Sequence, residues 1–287
     1  MRIGAVIVLY HPNLQQVNLL IELVSQSVDT LSIIDNTQER SGVTLPSENV
    51  HYHHFASNKG IAAAQNVGLG DLMLDNCEYA LLLDQDSVVP PDLVTNLIRK
   101  MEQHADEKLI AVGPRIICSF TETELHPKVQ KECRSENGLA FVSQIISSGM
   151  MISLRSLAAV GLKEEGLFID GVDHEWCWRA RAKSYQIAIA DEVKMRHTMG
   201  EHRSRFLGVS YKVGTPIRLY YQFRNIFVLS RRRYVPRYWK VRNIGILPLR
   251  IIVNLLVEDS KVLRAKYMWQ GICDGLKNRQ GAYKGWH

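Results

Sequence analysis

The run Leu81-Leu82-Leu83-Asp84-Gln85-Asp86-Ser87 constrains this chain more than any other. Three leucines leading into two carboxylates read as a buried strand that delivers acid groups to its C-terminal end. In open α/β sheets, ligands bind beyond that end. Two carboxylates one residue apart repel when both are ionised, and a hard divalent cation carrying phosphate oxygens resolves the conflict. The competing reading is an ordinary acidic turn, and the rest of the chain decides between them.

The first half alternates strand and helix patterns. Residues 2–9 read as a first buried strand, too short and too lightly flanked for a signal peptide. Leu14, Val17, Leu20, Ile21 and Val24 recur at helical spacing. Strands follow at 31–34, 50–55 and 79–83, with a helix over 60–77 and another opening at Pro90-Pro91. This is βαβ logic and predicts an α/β, doubly wound, mostly parallel sheet. Residues 114–143 read as a long loop. Residues 144–153 read as a strand around Gly149, 173–183 as a helix, and 187–190 and 193–195 as short strands. Beyond Thr215 the pattern is helical and basic.

Charge divides the chain. Residues 1–202 hold 17 Lys/Arg against 26 Asp/Glu, a balance of −9, and residues 203–287 hold 18 against 3, a balance of +15. An acidic body with a basic tail points to an anionic surface as partner. The five cysteines are scattered with no C-x-x-C, which excludes a zinc knuckle or a disulfide framework and fits a reducing cytoplasm.

Four polar clusters sit where strands are expected to end: Asp35-Asn36, Ser57 to Gly60, Asp84 to Asp86, and Asp170 to Glu175. Parallel strand ends share one edge, so these clusters should converge into a cradle for a nucleotide diphosphate. Neither a G-x-x-x-x-G-K-[ST] loop nor a G-x-G-x-x-G after the first strand is present, which excludes NTP hydrolysis by a P-loop and dinucleotide redox chemistry.

Val8-Leu9-Tyr10, Ile34-Asp35-Asn36, Asn58-Lys59-Gly60 through Asn66, Asp84-Gln85-Asp86-Ser87 and Phe168-Ile169-Asp170-Gly171-Val172-Asp173-His174-Glu175-Trp176 occur in that order. In this the chain resembles family 2 inverting glycosyltransferases of GT-A fold. Within that family it resembles the bacterial rhamnosyltransferases of O-antigen (lipopolysaccharide) and related polysaccharide assembly. The resemblance spans residues 3 to 230. It implies a GT-A domain over 1–212, with donor binding in 1–113 and the acceptor side in 114–212, followed by a basic helical membrane-associating region over 213–287.

The resemblance also implies roles. Asp35 contacts the donor base beside Tyr10; Asn58, Lys59 and Asn66 flank the nucleotide; Asp84 and Gln85 lie by the donor. Asp86 holds a divalent metal (Mg2+ or Mn2+), and His197 completes that site, with His202 as its competitor. Asp173 is the catalytic base. Gly149, Asp170, Glu175 and Trp176 lie on the acceptor side, Trp176 as a stacking surface for a sugar. Inversion needs one base and one neutralised leaving group, which agrees. Crowding by Asp170 and Glu175 should raise the pKa of Asp173.

The implied donor is dTDP-β-L-rhamnose, and the implied acceptor a glycan on a polyprenyl diphosphate. The implied place is peripheral, on the cytoplasmic face of the bacterial inner membrane. UDP-galactofuranose or UDP-glucose is the rival donor. A nucleotide-sugar-binding protein without turnover would need no base at Asp173. A nucleotidyltransferase would carry a glycine-rich basic loop where Tyr10-His11-Pro12-Asn13 stands. In the tail, aromatic residues interleave with arginines. Ile244 to Val257 is too short to span a bilayer and suits an interfacial amphipathic helix, with a packed helical subdomain as the alternative. Nucleic acid is not an expected partner.

Overall fold

A computed structural model describes residues 1–46, 48–104, 108–118, 132–197, 202–206, 209–213, 215–256 and 259–285. Its centre is a nine-stranded sheet of order β3-β2-β1-β4-β8-β5-β9-β7-β6. Strands β1 (Ile3–Leu9), β2 (Thr30–Asp35), β3 (Val50–His54) and β4 (Tyr79–Asp84) run parallel. Six residues of β1 and all of β2 are buried, because helices cover both faces. Helices α1 (Leu14–Ser25) and α3 (Leu93–Gln103) pack on one face, and α2 (Ile61–Leu74) on the other. Asn13 caps α1 by accepting from the Gln16 amide at 3.1 Å. Helix α2 lies so close to β1 that a Cβ on Gly68 would meet Val6 at 2.4 Å.

Register places the acids. Val8 pairs with Asp84 on one side of β1, and Leu9 pairs with Asp35 on the other. Strands β5 (Leu109–Cys118) and β9 (Gln186–His197) are parallel to each other, and β8 (Met150–Ser153) runs antiparallel between β4 and β5. Being antiparallel, β8 begins at the edge where β4 ends, so the segment leading into it reaches the acids. Gly149 makes that entry with φ of +80°, donating its amide to Leu82 O at 2.9 Å.

The expected loop over 114–143 is corrected. Residues 114–118 extend β5, and β6 (Glu132–Glu136) and β7 (Leu139–Val142) form a hairpin against β9, while 119–131 lie outside the described residues. The two short strands expected at 187–190 and 193–195 are one strand. Pro114 faces Ala190 and Arg115 faces Lys194, so residues 191–193 bulge out. The expected strand at 144–153 is regular only from Met150.

After α4 (Leu154–Val160) and α5 (Val172–Ala182), a two-stranded ribbon forms from β10 (His202–Phe206) and β11 (Val209–Val213). The basic region then folds as α6 (Pro216–Ser230), α7 (Arg237–Gly245), α8 (Leu247–Leu256) and α9 (Lys261–Leu276). No helix among the described residues is long and apolar enough to cross a membrane. Helices α6 and α9 cross at glycines: a Cβ on Gly271 would lie 2.5 Å from Tyr220 O, and one on Gly275 would lie 2.8 Å from Arg224 O. Because the clash is with backbone, Gly271→Val should cost about 1–3 kcal/mol or more in overpacking. Chemical denaturation beside the wild type checks this; an unchanged midpoint would mean that the crossing tolerates a side chain.

Candidate active site

The C-terminal ends of β1, β2 and β4 and the lead-in to β8 meet at one edge. Asp84 is the most perturbed acid there. Burial first, then the charges of Asp173 and Asp86, push its pKa up to about 7, while Arg218 pulls it down. Ser87 ties the turn: its hydroxyl accepts from the Asp84 amide at 3.1 Å and meets the Ser148 hydroxyl at 2.9 Å. Gln85 serves the same turn. Its amide oxygen accepts from Tyr10 N at 2.6 Å and its NH2 donates to Tyr10 O at 3.0 Å, which fixes Tyr10 with its ring 47% exposed at the edge.

Asp35 is fully buried and accepts from Tyr52 OH at 2.7 Å, Ser41 N and Oγ at 2.8 Å, Thr37 N at 3.2 Å and the Thr37 hydroxyl. Burial pushes its pKa up, but these bonds outweigh that and hold it below the usual carboxylate value. A donor base would have to displace one of these partners to reach it. Asn36 organises the next cluster: its side chain donates to Asn58 Oδ1 at 3.0 Å and accepts from Lys59 N at 2.7 Å. Asn58 and Lys59 are exposed at the rim. Asn66 is buried and clamps the Lys163 backbone at 2.8 and 2.9 Å and Glu165 at 2.9 Å.

Asp173 sits in the first turn of α5. Both its oxygens face Ser147, one accepting from the Ser147 amide at 3.0 Å and the other from its hydroxyl. Behind it, buried Lys163 places its ammonium 3.9 Å from Asp173 Oδ1 and 4.5 Å from the Trp176 ring centre. Burial lowers the Lys163 pKa, and Asp173 only partly restores it.

Three acceptor-side expectations change here. Trp176 is 0% exposed and donates its indole N–H to Gly161 O at 2.9 Å, so it is a core residue and offers no face to a sugar. Glu175 is 0% exposed and pairs with Arg179 at 2.7 and 3.0 Å and with Tyr234 OH at 2.6 Å. Asp170 is held by Arg218 through two bonds of 2.9 Å. The neighbours expected to crowd Asp173 are therefore paired elsewhere. Gly149 keeps its place there: a Cβ would meet Pro114 at 2.8 Å.

The loop before α5 is left-handed at Phe168, Asp170 and Gly171, with φ of +65°, +65° and +88°. The two non-glycines cost about 1–2 kcal/mol each. The backbone of His197 ends β9, beside the bridge from Arg196 to Val88, two residues from Asp86. The side chains of His197 and His202 lie outside the described residues.

Lys163, Ser147 and Arg218 were not legible as site residues. Lys163 stands in a charged run, Gly161 to Glu165, that reads as a solvated loop, and Arg218 stands among the tail's other arginines.

A mostly parallel sheet with acids on its C-terminal edge and α5 beside them is the arrangement of a GT-A fold. Residues 25–158 match the glycosyl transferase family 2 profile, and the protein is a glycosyltransferase that carries this family's domain. It is 29% identical over 295 residues to the dTDP-rhamnosyl transferase RfbF of Shigella flexneri, covering 97% of each chain. Its fold is similar to GalNAc-T7 with UDP, GalNAc and Mn2+ (13% identity, TM-score 0.61, 96% of this chain and 56% of that one). It is also similar to S. aureus TarS 1-349 in complex with UDP-GlcNAc (13% identity, TM-score 0.58, 96% and 81%).

Removing a buried partner strands the other charge. Glu175→Ala should cost about 3–5 kcal/mol because Arg179 would lose its counter-ion. A thermal melt checks it. A variant that melts like the wild type yet loses turnover would return Glu175 to the acceptor side.

Proposed function

We propose that this protein is an inverting, metal-dependent rhamnosyltransferase. It would move L-rhamnose from dTDP-β-L-rhamnose to a polyprenyl-diphosphate-linked glycan in cell-surface polysaccharide synthesis. The observation that carries the donor is the likeness to a dTDP-rhamnosyl transferase over 97% of both chains, C-terminal helices included. In this reading Asp173 accepts the proton of the attacking acceptor hydroxyl. The hydroxyl oxygen bonds to the anomeric carbon as the bond to the diphosphate breaks on the opposite face. Ser147 holds the Asp173 carboxylate in one orientation, and the Lys163 ammonium lies 3.9 Å behind it. Tyr10, exposed at the edge, and Lys59, exposed at the rim, are placed to meet the donor.

A divalent cation such as Mg2+ or Mn2+ fits the donor set. Asp84 and Asp86 offer hard oxygens, and burial together with the nearby charges of Asp173 and Asp86 raises the pKa of Asp84. We assign Asp86, with His197, to hold it. When bound, it supplies the charge that neutralises the departing diphosphate.

Release of free nucleoside diphosphate, screened over nucleotide sugars with lipid-linked acceptors, tests this. We expect dTDP-rhamnose to be consumed and chelator to stop the reaction. Selective transfer from UDP-galactofuranose or UDP-glucose would move the assignment to another donor, and full activity in excess chelator would remove the metal. Asp173→Asn should lower turnover by about 10²-fold or more while dTDP affinity changes little, since the amide cannot take a proton. Parallel loss of binding and turnover would mark Asp173 as a structural residue.

The lipid acceptor implies a membrane surface. Val241, Ile244, Leu249, Ile252 and Leu256 on α7 and α8 are 45–73% exposed, and residues 216–256 contain no acid. Arg231 is spent on the last carbonyls of α9, at 2.7 and 2.6 Å, and Arg232 on Glu164. Arg233, Arg237 and Arg242 are exposed and make no ion pair among the described residues. We assign α7 and α8 to anionic lipid. Leu249→Glu with Ile252→Glu should abolish flotation with anionic vesicles and spare dTDP binding. Equal binding to neutral and anionic vesicles at low salt would remove the electrostatic argument.

A further inference from the structure

Helix α6 reads the loop before Asp173 along one of its faces. Arg218, Tyr221 and Asn225 recur at i, i+3 and i+7. Arg218 takes the Asp170 carboxylate through two bonds of 2.9 Å. Tyr221 stacks on the Phe168 ring, with centroids 4.6 Å apart and planes 5° from parallel. The buried amide of Asn225 turns its NH2 to three converging carbonyls: Leu167 at 3.1 Å, Ile169 at 2.8 Å and Asp170 at 2.8 Å. Its neighbour Arg224, also buried, donates to Gly166 O at 3.0 Å and Leu167 O at 2.8 Å. Phe168 O is taken by the Ile61 amide of α2 at 2.9 Å.

Every carbonyl from Gly166 to Asp170 thus has a donor, and four of the five are served by the Arg224-Asn225 pair. Phe168 (φ +65°, ψ −64°) and Asp170 (φ +65°) hold sparsely populated backbone conformations, which persist only where surrounding contacts fix them. Helix α5 starts directly after this loop, and Asp173 is its second residue. Asn225 does not touch Asp173. It sets where the helix begins and hence where the carboxylate points.

We propose that Asn225 is a positioning residue for the catalytic base, acting through the 166–170 backbone. This rests on the assignment of Asp173 as that base. It gives the start of the basic C-terminal region a role in catalysis that its charge does not suggest. The loss should fall on turnover and leave donor binding, because the β1, β2 and β4 ends are held by other contacts.

Asn225→Asp tests it, since a carboxylate would face three carbonyls and donate to none. Two readouts are compared with the wild type. Hydrogen exchange of peptides covering 166–173 should accelerate while those covering β1 and β4 stay protected. The kcat for dTDP release from dTDP-rhamnose with lipid-linked acceptor should fall by about 10²-fold, as a misplaced catalytic group predicts. The dissociation constant of dTDP should stay within about threefold in the same samples. Asn225→Ala, which removes the donor without adding charge, replaces it should Asn225→Asp fail to fold. Unchanged exchange over 166–173, unchanged kcat, or loss of dTDP binding in step with kcat would each overturn the proposal. A wild type that is inactive on dTDP-rhamnose would overturn the donor reading instead, and exchange would still decide whether Asn225 holds the loop.

Discussion

Mutual repulsion among Asp84, Asp86 and Asp173 is the constraint around which this molecule is arranged. Three carboxylates from two parts of the chain are brought to one edge, and burial of Asp84 first, with the charges of Asp173 and Asp86 added, pushes its pKa up to about 7. The protein answers with cations from elsewhere in the sequence. Lys163 lies buried behind Asp173, and Arg218 comes from the first turn of α6.

The C-terminal helices belong to this arrangement rather than trailing from it. Arg232 pairs with Glu164, Tyr234 bonds Glu175, and Trp239 packs edge-on against Trp178 at 5.3 Å. The last two contacts hold α5 itself, through Glu175 and Trp178. The high count of basic residues therefore divides by role. Arg218, Arg224, Arg231 and Arg232 are spent inside the fold, and Arg233, Arg237 and Arg242 are exposed with no ion pair among the described residues. Bulk charge alone could not separate them, because a guanidinium on a carbonyl and one in solvent look the same in a sequence.

Much of the fold was legible. The apolar runs at 3–9, 31–34 and 79–83 are strands because helices bury both of their faces, and the acids that end them share an edge because parallel strands must. The tail was legible as helical and basic. The long loop expected at 114–143 failed because β7 is only four residues long, too short for a clear period, and its partner β6 is a polar strand at the edge of the sheet. Trp176 and Glu175 failed for another reason. Their helix carries an active-site motif, but consecutive helical residues point in different directions, and only Asp173 turns toward the edge.

The sequence by itself determined the class of sheet, the identity of the acids and the order in which they arrive, since these follow from local hydrophobic runs and the polar residues that end them. Tertiary structure decided which charges meet. It put Lys163 behind Asp173 and Arg218 on Asp170, and it turned Asn225 onto a loop 55 to 58 residues away in the chain. Such contacts depend on how helices pack across the sheet, a distance over which no periodicity carries information.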